Sequence, residues 1–106
     1  LGTTLLGHMT LKSAVPAADG TITAPPPSLQ LTFTQEPDLS VSKLDLTGPS
    51  GGVTLNNLHV MENNVLMAMV GGQMPDGEYT VAWQSAGDDG HVQKGTYTFT
   101  LKRAAQ

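Results

Sequence analysis

The stretch EYTVAWQSAGDDGHVQKGTYTFTLK, residues 78–102, contains two runs in which apolar and polar side chains alternate. The residues of one parity are large and apolar in both runs: Tyr79, Val81 and Trp83 in the first, and Tyr97, Phe99 and Leu101 in the second. Successive side chains of a β-strand point to opposite faces, so each run predicts a strand with one buried face. The two faces are expected to meet in one core.

The same alternation recurs towards the amino terminus. Apolar positions alternate with polar ones at Leu29, Leu31 and Phe33, and again at Leu44 and Leu46. Further strands are predicted over residues 53–60 and 65–70, and clusters rich in Gly, Pro and Asn separate the runs. Six or seven short strands with frequent turns predict an all-β sandwich or barrel.

Composition narrows the class of protein. The 106 residues suit one domain, and only 13% of them are charged. Five Lys and Arg against nine Asp and Glu give a net charge of −4 without a basic cluster, which argues against nucleic-acid binding. Because the chain has no cysteine, any metal must be held by nitrogen, oxygen or thioether ligands. We find no apolar run of about 18 residues, and therefore expect no membrane insertion.

A carboxylate and an imidazole stand two positions apart in Asp89-Gly90-His91. In an extended segment they would point the same way, with α-carbons about 6.6 Å apart, so that one metal ion could bridge them. Asp88 is the alternative carboxylate, but it would point away from His91 in an extended segment. The three residues alone are more typical of a solvated turn, so the metal reading depends on what surrounds them.

Four segments of the chain match, in order and spacing, the sequences of one known protein family. Asp89-Gly90-His91 follows Trp83 and precedes Gly95-Thr96-Tyr97-Thr98-Phe99, as the family's Asp-x-His follows a tryptophan and precedes Gly-x-Tyr-x-Phe. Leu11-Lys12-Ser13-Ala14-Val15-Pro16-Ala17 matches the family's opening Leu-x-Ser-x-x-Pro-Ala. Residues 29–35 follow it as in the family, and residues 42–49 match a fourth family sequence. Together these segments resemble the CopC family of periplasmic copper-binding proteins, and the resemblance covers nearly all of residues 8–102. It implies a cupredoxin-like (immunoglobulin-like) Greek-key β-barrel.

The resemblance also implies a Cu(II) site. Its ligands would be Asp89, His91 and an amino-terminal histidine, which falls on His8. Seven residues precede His8, so its backbone nitrogen is an amide and cannot serve as the free amine that the family uses. We interpret residues 1–9 as the remnant of an expression tag, with His8 at the place of the family's own histidine, and residues 10–106 as the CopC-like domain.

The function implied is that of a periplasmic protein that sequesters or transfers Cu(II) in copper resistance, without catalysis. A signal peptide absent from this sequence would direct its export. Its partners would be the copper ion and an inner-membrane CopD-like copper permease, and the protein is expected to be a monomer. An alternative stays open, in which the copper site is degenerate and the β-barrel serves as a structural or protein-interaction module.

The remaining histidine and the methionines are not predicted to bind copper. Family members with a Cu(I) site carry a methionine-rich loop, whereas residues 48–53 contain neither Met nor His, so no dedicated Cu(I) site is expected. Met67 and Met69 share a face and are interpreted as core or barrel surface rather than as copper ligands. His59 alternates with Leu58 and Val60 and is predicted to face solvent.

Overall fold

The computed structural model describes residues 8–104, which form nine β-strands in two sheets. The strands are β1 (Leu11–Val15), β2 (Thr21–Ile22), β3 (Ser28–Phe33), β4 (Lys43–Gly48), β5 (Gly51–Val53), β6 (Leu55–Met61), β7 (Val65–Val70), β8 (Gly77–Ala86) and β9 (Val92–Leu101). A 3₁₀ turn, Leu39–Val41, precedes β4. Over the same residues, no helix is long and apolar enough to cross a bilayer.

The two sheets have different strand orders. One sheet has the order β1-β3-β7-β6, and the other has the order β2-β9-β8-β4-β5. Neighbouring strands are antiparallel except for β2 and β9, which are parallel. Because β2 and β5 contain only two and three residues, seven longer strands remain, which agrees with the six or seven predicted from the sequence. The predicted all-β architecture is therefore confirmed.

The core lies between the sheets and contains the residues that the alternation selects. Nearly all of their surface is buried: Leu29, Leu31 and Phe33 from β3, Tyr79 and Val81 from β8, and Tyr97, Phe99 and Leu101 from β9. Tyr79 lies opposite Phe99 across the β8–β9 ladder, and their rings stack with centroids 5.5 Å apart. Trp83 packs against this core and meets Phe33 edge to face at 5.1 Å, which joins the two sheets.

The pairing of the first strand brings the amino-terminal residues to one end of the sandwich. Leu11 of β1 lies opposite Phe33 of β3, and the contact continues beyond both strands. The Thr34 N–H donates to the Thr10 carbonyl at 3.0 Å, and the Thr10 N–H donates to Thr34 Oγ1 at 3.0 Å. Since Phe33 packs against Trp83 of β8, the residues before β1 lie beside the end of the β8–β9 hairpin at which the two strands are connected.

Tyr97 carries a buried polar atom that the core does not use. Its hydroxyl is buried and has no hydrogen-bond partner within residues 8–104, and burial raises the pKa of the Tyr97 phenol to about 12. A buried hydroxyl without a partner costs about 1–3 kcal/mol relative to one that is hydrogen-bonded. The protein therefore tolerates this hydroxyl rather than depending on it.

We expect Tyr97→Phe to raise the free energy of unfolding by about 1 kcal/mol, because it removes the unpartnered oxygen and keeps the ring. A phenol with a raised pKa in the folded state stabilises it below the unfolded pKa of about 10 and loses that contribution as pH rises through 12. The variant should therefore also resist alkaline unfolding over this interval. Urea unfolding at pH 7 and pH 11 measures both effects, and a less stable variant at pH 7 would contradict the prediction.

Candidate metal centre

The loop between β8 and β9, residues 87–91, is a turn. Gly90 has a positive φ of 73°, a conformation that glycine adopts without steric cost, and its N–H donates to the Gly87 carbonyl at 3.1 Å. Asp89 and His91 therefore do not lie on one face of a strand. The prediction that an extended segment points both side chains the same way is wrong. The turn itself folds the two side chains towards each other.

The carboxylate of Asp89 divides its two oxygens between the turn and the candidate site. Oδ1 accepts the backbone N–H of His91 at 3.0 Å, which fixes the orientation of the carboxylate. Oδ2 lies 2.7 Å from His8 Nδ1 and 3.5 Å from His91 Nδ1. One oxygen thus stabilises the loop, and the other lies between two imidazole rings.

These three residues form a compact donor set. One ligand atom from each of His8, Asp89 and His91 lies within 4.8 Å of the others, and the two rings are 5.0 Å apart at 55°. Ligands that bind one ion at bond lengths of about 2 Å lie up to about 4 Å apart, so small side-chain rotations would close the set. The side chains of His8 and His91 are 52% and 68% exposed, which leaves them free to make those rotations.

The environment of Asp89 keeps its carboxylate charged. The backbone N–H of His91 has the largest effect, and the hydrogen bond from His8 adds to it, so that the pKa of Asp89 lies below its ordinary value. Because a carboxylate accepts and cannot donate when ionised, His8 Nδ1 carries the proton of this hydrogen bond. A cation that replaced this proton would release it, which couples binding to pH.

Two residues beneath the loop hold it against the amino-terminal segment. Gln35 Oε1 accepts the backbone N–H of Asp88 at 2.8 Å, and Met9 is only 1% exposed, within the hydrophobic core. Both side chains reach Gly87, where a β-carbon would overlap the Gln35 oxygen and approach Met9 Cβ to 3.1 Å. Glycine at this position lets Met9 lie under the loop, which places His8 beside Asp89.

We expect Met9→Ala to lower the affinity of the site for Cu(II) about tenfold, because it removes the buried anchor next to His8. The same change should cost about 2 kcal/mol of unfolding free energy through the cavity it leaves. Met9→Leu keeps the volume and is the control, expected to stay close to the parent in both measurements. An unchanged Cu(II) affinity in folded Met9→Ala would show that Met9 does not position a ligand.

The structure brings all three sequence-predicted ligands together and leaves Asp88 outside the set, with its backbone bound to Gln35. Of residues 1–9, interpreted as a tag remnant, residues 1–7 lie outside the described part of the chain, while Met9 belongs to the core. The supporting roles of Met9 and Gln35 are not predicted from the sequence. An apolar residue two positions before the opening strand is the available signal for Met9, and no local pattern marks Gln35.

Comparison with known sequences gives one family. Residues 11–102 match the family model described as the CopC domain. The chain is 31% identical to the Escherichia coli K12 protein YobA over 99 residues, covering 90% of this chain and 79% of that protein. It is also 31% identical to copper resistance protein C of Escherichia coli over 106 residues, with 92% and 83% of the two chains covered.

Solved structures agree with this match. The crystal structure of PcoC, a methionine-rich copper resistance protein from Escherichia coli, has a TM-score of 0.80 at 30% identity and covers 91% of this chain and 100% of its own. CopC from Methylosinus trichosporium OB3b gives a TM-score of 0.80 at 22% identity, with 93% and 98% covered, and supports the fold. The cupredoxin-like Greek-key sandwich that the family resemblance implies is thereby confirmed.

Proposed function

Because the chain belongs to the CopC family, we propose that it is a periplasmic copper-binding protein that sequesters or transfers Cu(II) in copper resistance. Asp89 and His91 are the proposed ligands, and His8 is the proposed third. The observation that carries the proposal is the convergence of Asp89 Oδ2 with both imidazoles at the end of the β8–β9 hairpin.

The chemistry of the donor set fits Cu(II). Two imidazole nitrogens and one carboxylate oxygen are donors that suit the tetragonal geometry of this ion, and Cu(II) stands at the top of the affinity order for divalent first-row metals. The carboxylate, whose pKa is lowered, is already ionised at neutral pH. Cu(II) would displace the proton of the Asp89–His8 hydrogen bond, and the same two groups would then bind the ion.

The exposure of the donor set suits a site that takes up an ion and releases it again. Both imidazoles are more than half exposed, so an ion can enter or leave without the barrel opening. Exchange with a second protein is therefore sterically open, and a CopD-like inner-membrane permease is the proposed recipient. The role proposed is binding by a monomer, without a chemical reaction. A purely structural module would not require one carboxylate to be shared by two exposed imidazoles.

The test is a Cu(II) titration of the chain at pH 7, followed by visible absorption and electron paramagnetic resonance. We expect one equivalent to bind with a tetragonal nitrogen and oxygen signal. Imidazole must be unprotonated to bind, so affinity should fall between pH 7 and about pH 5, while the Asp89 carboxylate, with its lowered pKa, stays ionised. No saturable binding, or an affinity that is the same at both pH values, would refute the proposal.

A further inference from the structure

A second group of potential metal ligands lies on the outer face of the four-stranded sheet, away from the β8–β9 loop. On β7, Leu66 and Ala68 are buried, so the alternating Met67 and Met69 project from the opposite, outer face. On β6, Leu58 and Val60 pack against the core, and their neighbours project outwards likewise. We call the resulting group the thioether face, and it consists of His59, Met61, Met67 and Met69.

The strand register sets the spacing within the thioether face. His59 of β6 is directly paired with Met67 of β7, which places their β-carbons about 5 Å apart. Met61 is two positions from His59 on β6, and Met69 is two positions from Met67 on β7, each about 6.6 Å along its strand. Methionine has three rotatable side-chain bonds, so the sulfur atoms can close distances of this size.

A β-bulge orients the imidazole of His59. The β6–β7 register shifts between Asn56 and His59, and Asn57 has a positive φ of 57° at this bulge. His59 Nδ1 lies 2.6 Å from the Asn57 carbonyl oxygen. A carbonyl can only accept, so Nδ1 carries the proton and the lone pair is on Nε2. Metal-binding histidines are held in the same way, by donating one ring N–H to a backbone carbonyl and binding through the other nitrogen.

The surroundings favour a soft ion over a hard one. The other residues paired directly with the two β7 methionines on this face are neutral, since Gln30 pairs with Met67, and Ser28 and Asn56 pair with Met69. Met61 is 45% exposed, and β6 is the edge strand of its sheet, so the face is open to solvent. Thioether sulfur and imidazole nitrogen together suit Cu(I) and similar monovalent ions, and no carboxylate is paired with them to favour a harder cation.

We propose that the thioether face is a binding site for a soft monovalent d¹⁰ cation, Cu(I) or Ag(I), with His59 Nε2 and Met67 Sδ as the central ligands. Met61, on the same strand as His59, supplies a further thioether. This site is separate from His8, Asp89 and His91 in its position, its donors and the oxidation state it selects. Its presence or absence does not depend on the Cu(II) site.

The test uses Ag(I), which has the same d¹⁰ configuration and does not oxidise in air. Asp89→Asn combined with His91→Ala removes two of the three residues of the other donor set and leaves only His8. Ag(I) is then titrated while the five methionine methyl groups and the His59 ring are followed by NMR. We expect one equivalent to shift the signals of His59, Met61 and Met67 together. An anaerobic Cu(I) titration with a competing chelator then gives the affinity for the physiological ion.

Variants make the assignment specific. Met67→Leu and His59→Ala should each weaken Ag(I) and Cu(I) binding at least tenfold. Met74→Leu is the matched control, because Met74 is buried in the core and is expected to have no effect. Equal affinities for Met67→Leu and Met74→Leu, or shifts distributed evenly over all methionines, would overturn the proposal. Failure here would leave the Cu(II) titration of the unmodified chain unaffected, so the two proposals fail separately.

Discussion

His91→Ala is expected to lower the affinity for Cu(II) at least about a hundredfold. Residues that merely orient a metal ligand change affinity by about 10–100-fold, and His91 is proposed as a ligand itself. Without its imidazole, only Asp89 and His8 remain in the donor set. Two donors hold Cu(II) poorly compared with the three or four that such sites ordinarily provide.

The loss should be confined to binding. The His91 side chain is 68% exposed, and its contribution to the turn is a backbone N–H that alanine retains, so the free energy of unfolding should change by no more than about 0.5 kcal/mol. Competition titration against a chelator of known Cu(II) affinity measures the change. Asp88→Asn is the matched control, since it changes an exposed side chain of the same turn that lies outside the donor set and should leave Cu(II) affinity intact. A common affinity for both variants would exclude His91 from the site.

The sequence predicts the core more completely than the strand boundaries. Alternation identifies the inward residues of β3, β8 and β9, because a one-residue error in parity would expose all of them at once. It does not predict that the run 53–60 divides at Thr54 into β5 and β6. Nor does it predict that β9 begins at Val92, three residues before Gly95. Val92 and Gln93 pair with β8, but Val92 is 46% exposed and therefore adds no buried position to the pattern.

The sequence predicts which residues approach one another at the candidate site, but not the geometry by which they do so. Strand alternation and the family register both favour Asp89 over Asp88 as the ligand, but residues 87–91 form a turn in which strand alternation does not apply. What brings the ligands together is nonlocal. Gln35 fixes the loop from one side, and Met9 lies under Gly87 from the other. Contacts between residues more than 50 positions apart leave no periodic trace in a single sequence.

The orientation of His59 at the Asn57 bulge, in the other sheet, is likewise not predictable from the sequence alone. Alternation alone places His59 on the outer face, which the structure confirms through its pairing with Met67. It cannot reveal that the extra residue turns the Asn57 carbonyl towards His59 Nδ1. Orientation of a ring nitrogen depends on one backbone conformation, and it is this detail that separates a solvent-facing histidine from a potential ligand.

Removal of residues 1–7, so that the chain begins at His8, is expected to raise Cu(II) affinity about a hundredfold or more. His8 already directs Nδ1, rather than Nε2, at the site, 2.7 Å from Asp89 Oδ2. A free amine on the same residue would close a six-membered chelate ring with Nδ1 and the ion. A donor tethered to one already bound acts at a high effective concentration, which gives gains of about 10²–10⁴ in affinity.

Three versions of the chain separate the contribution of the amine to Cu(II) affinity from that of the imidazole. The first begins at His8, the second is the same chain with its amine acetylated, and the third begins at Met9. We expect tight binding and an additional nitrogen coupling in the electron paramagnetic resonance spectrum of the first chain alone. The acetylated chain should return to the affinity of the full sequence, because an amide nitrogen is a poor donor, and the third should bind more weakly still. If all three bind Cu(II) equally, His8 has no part in the site, and Asp89 and His91 act without it.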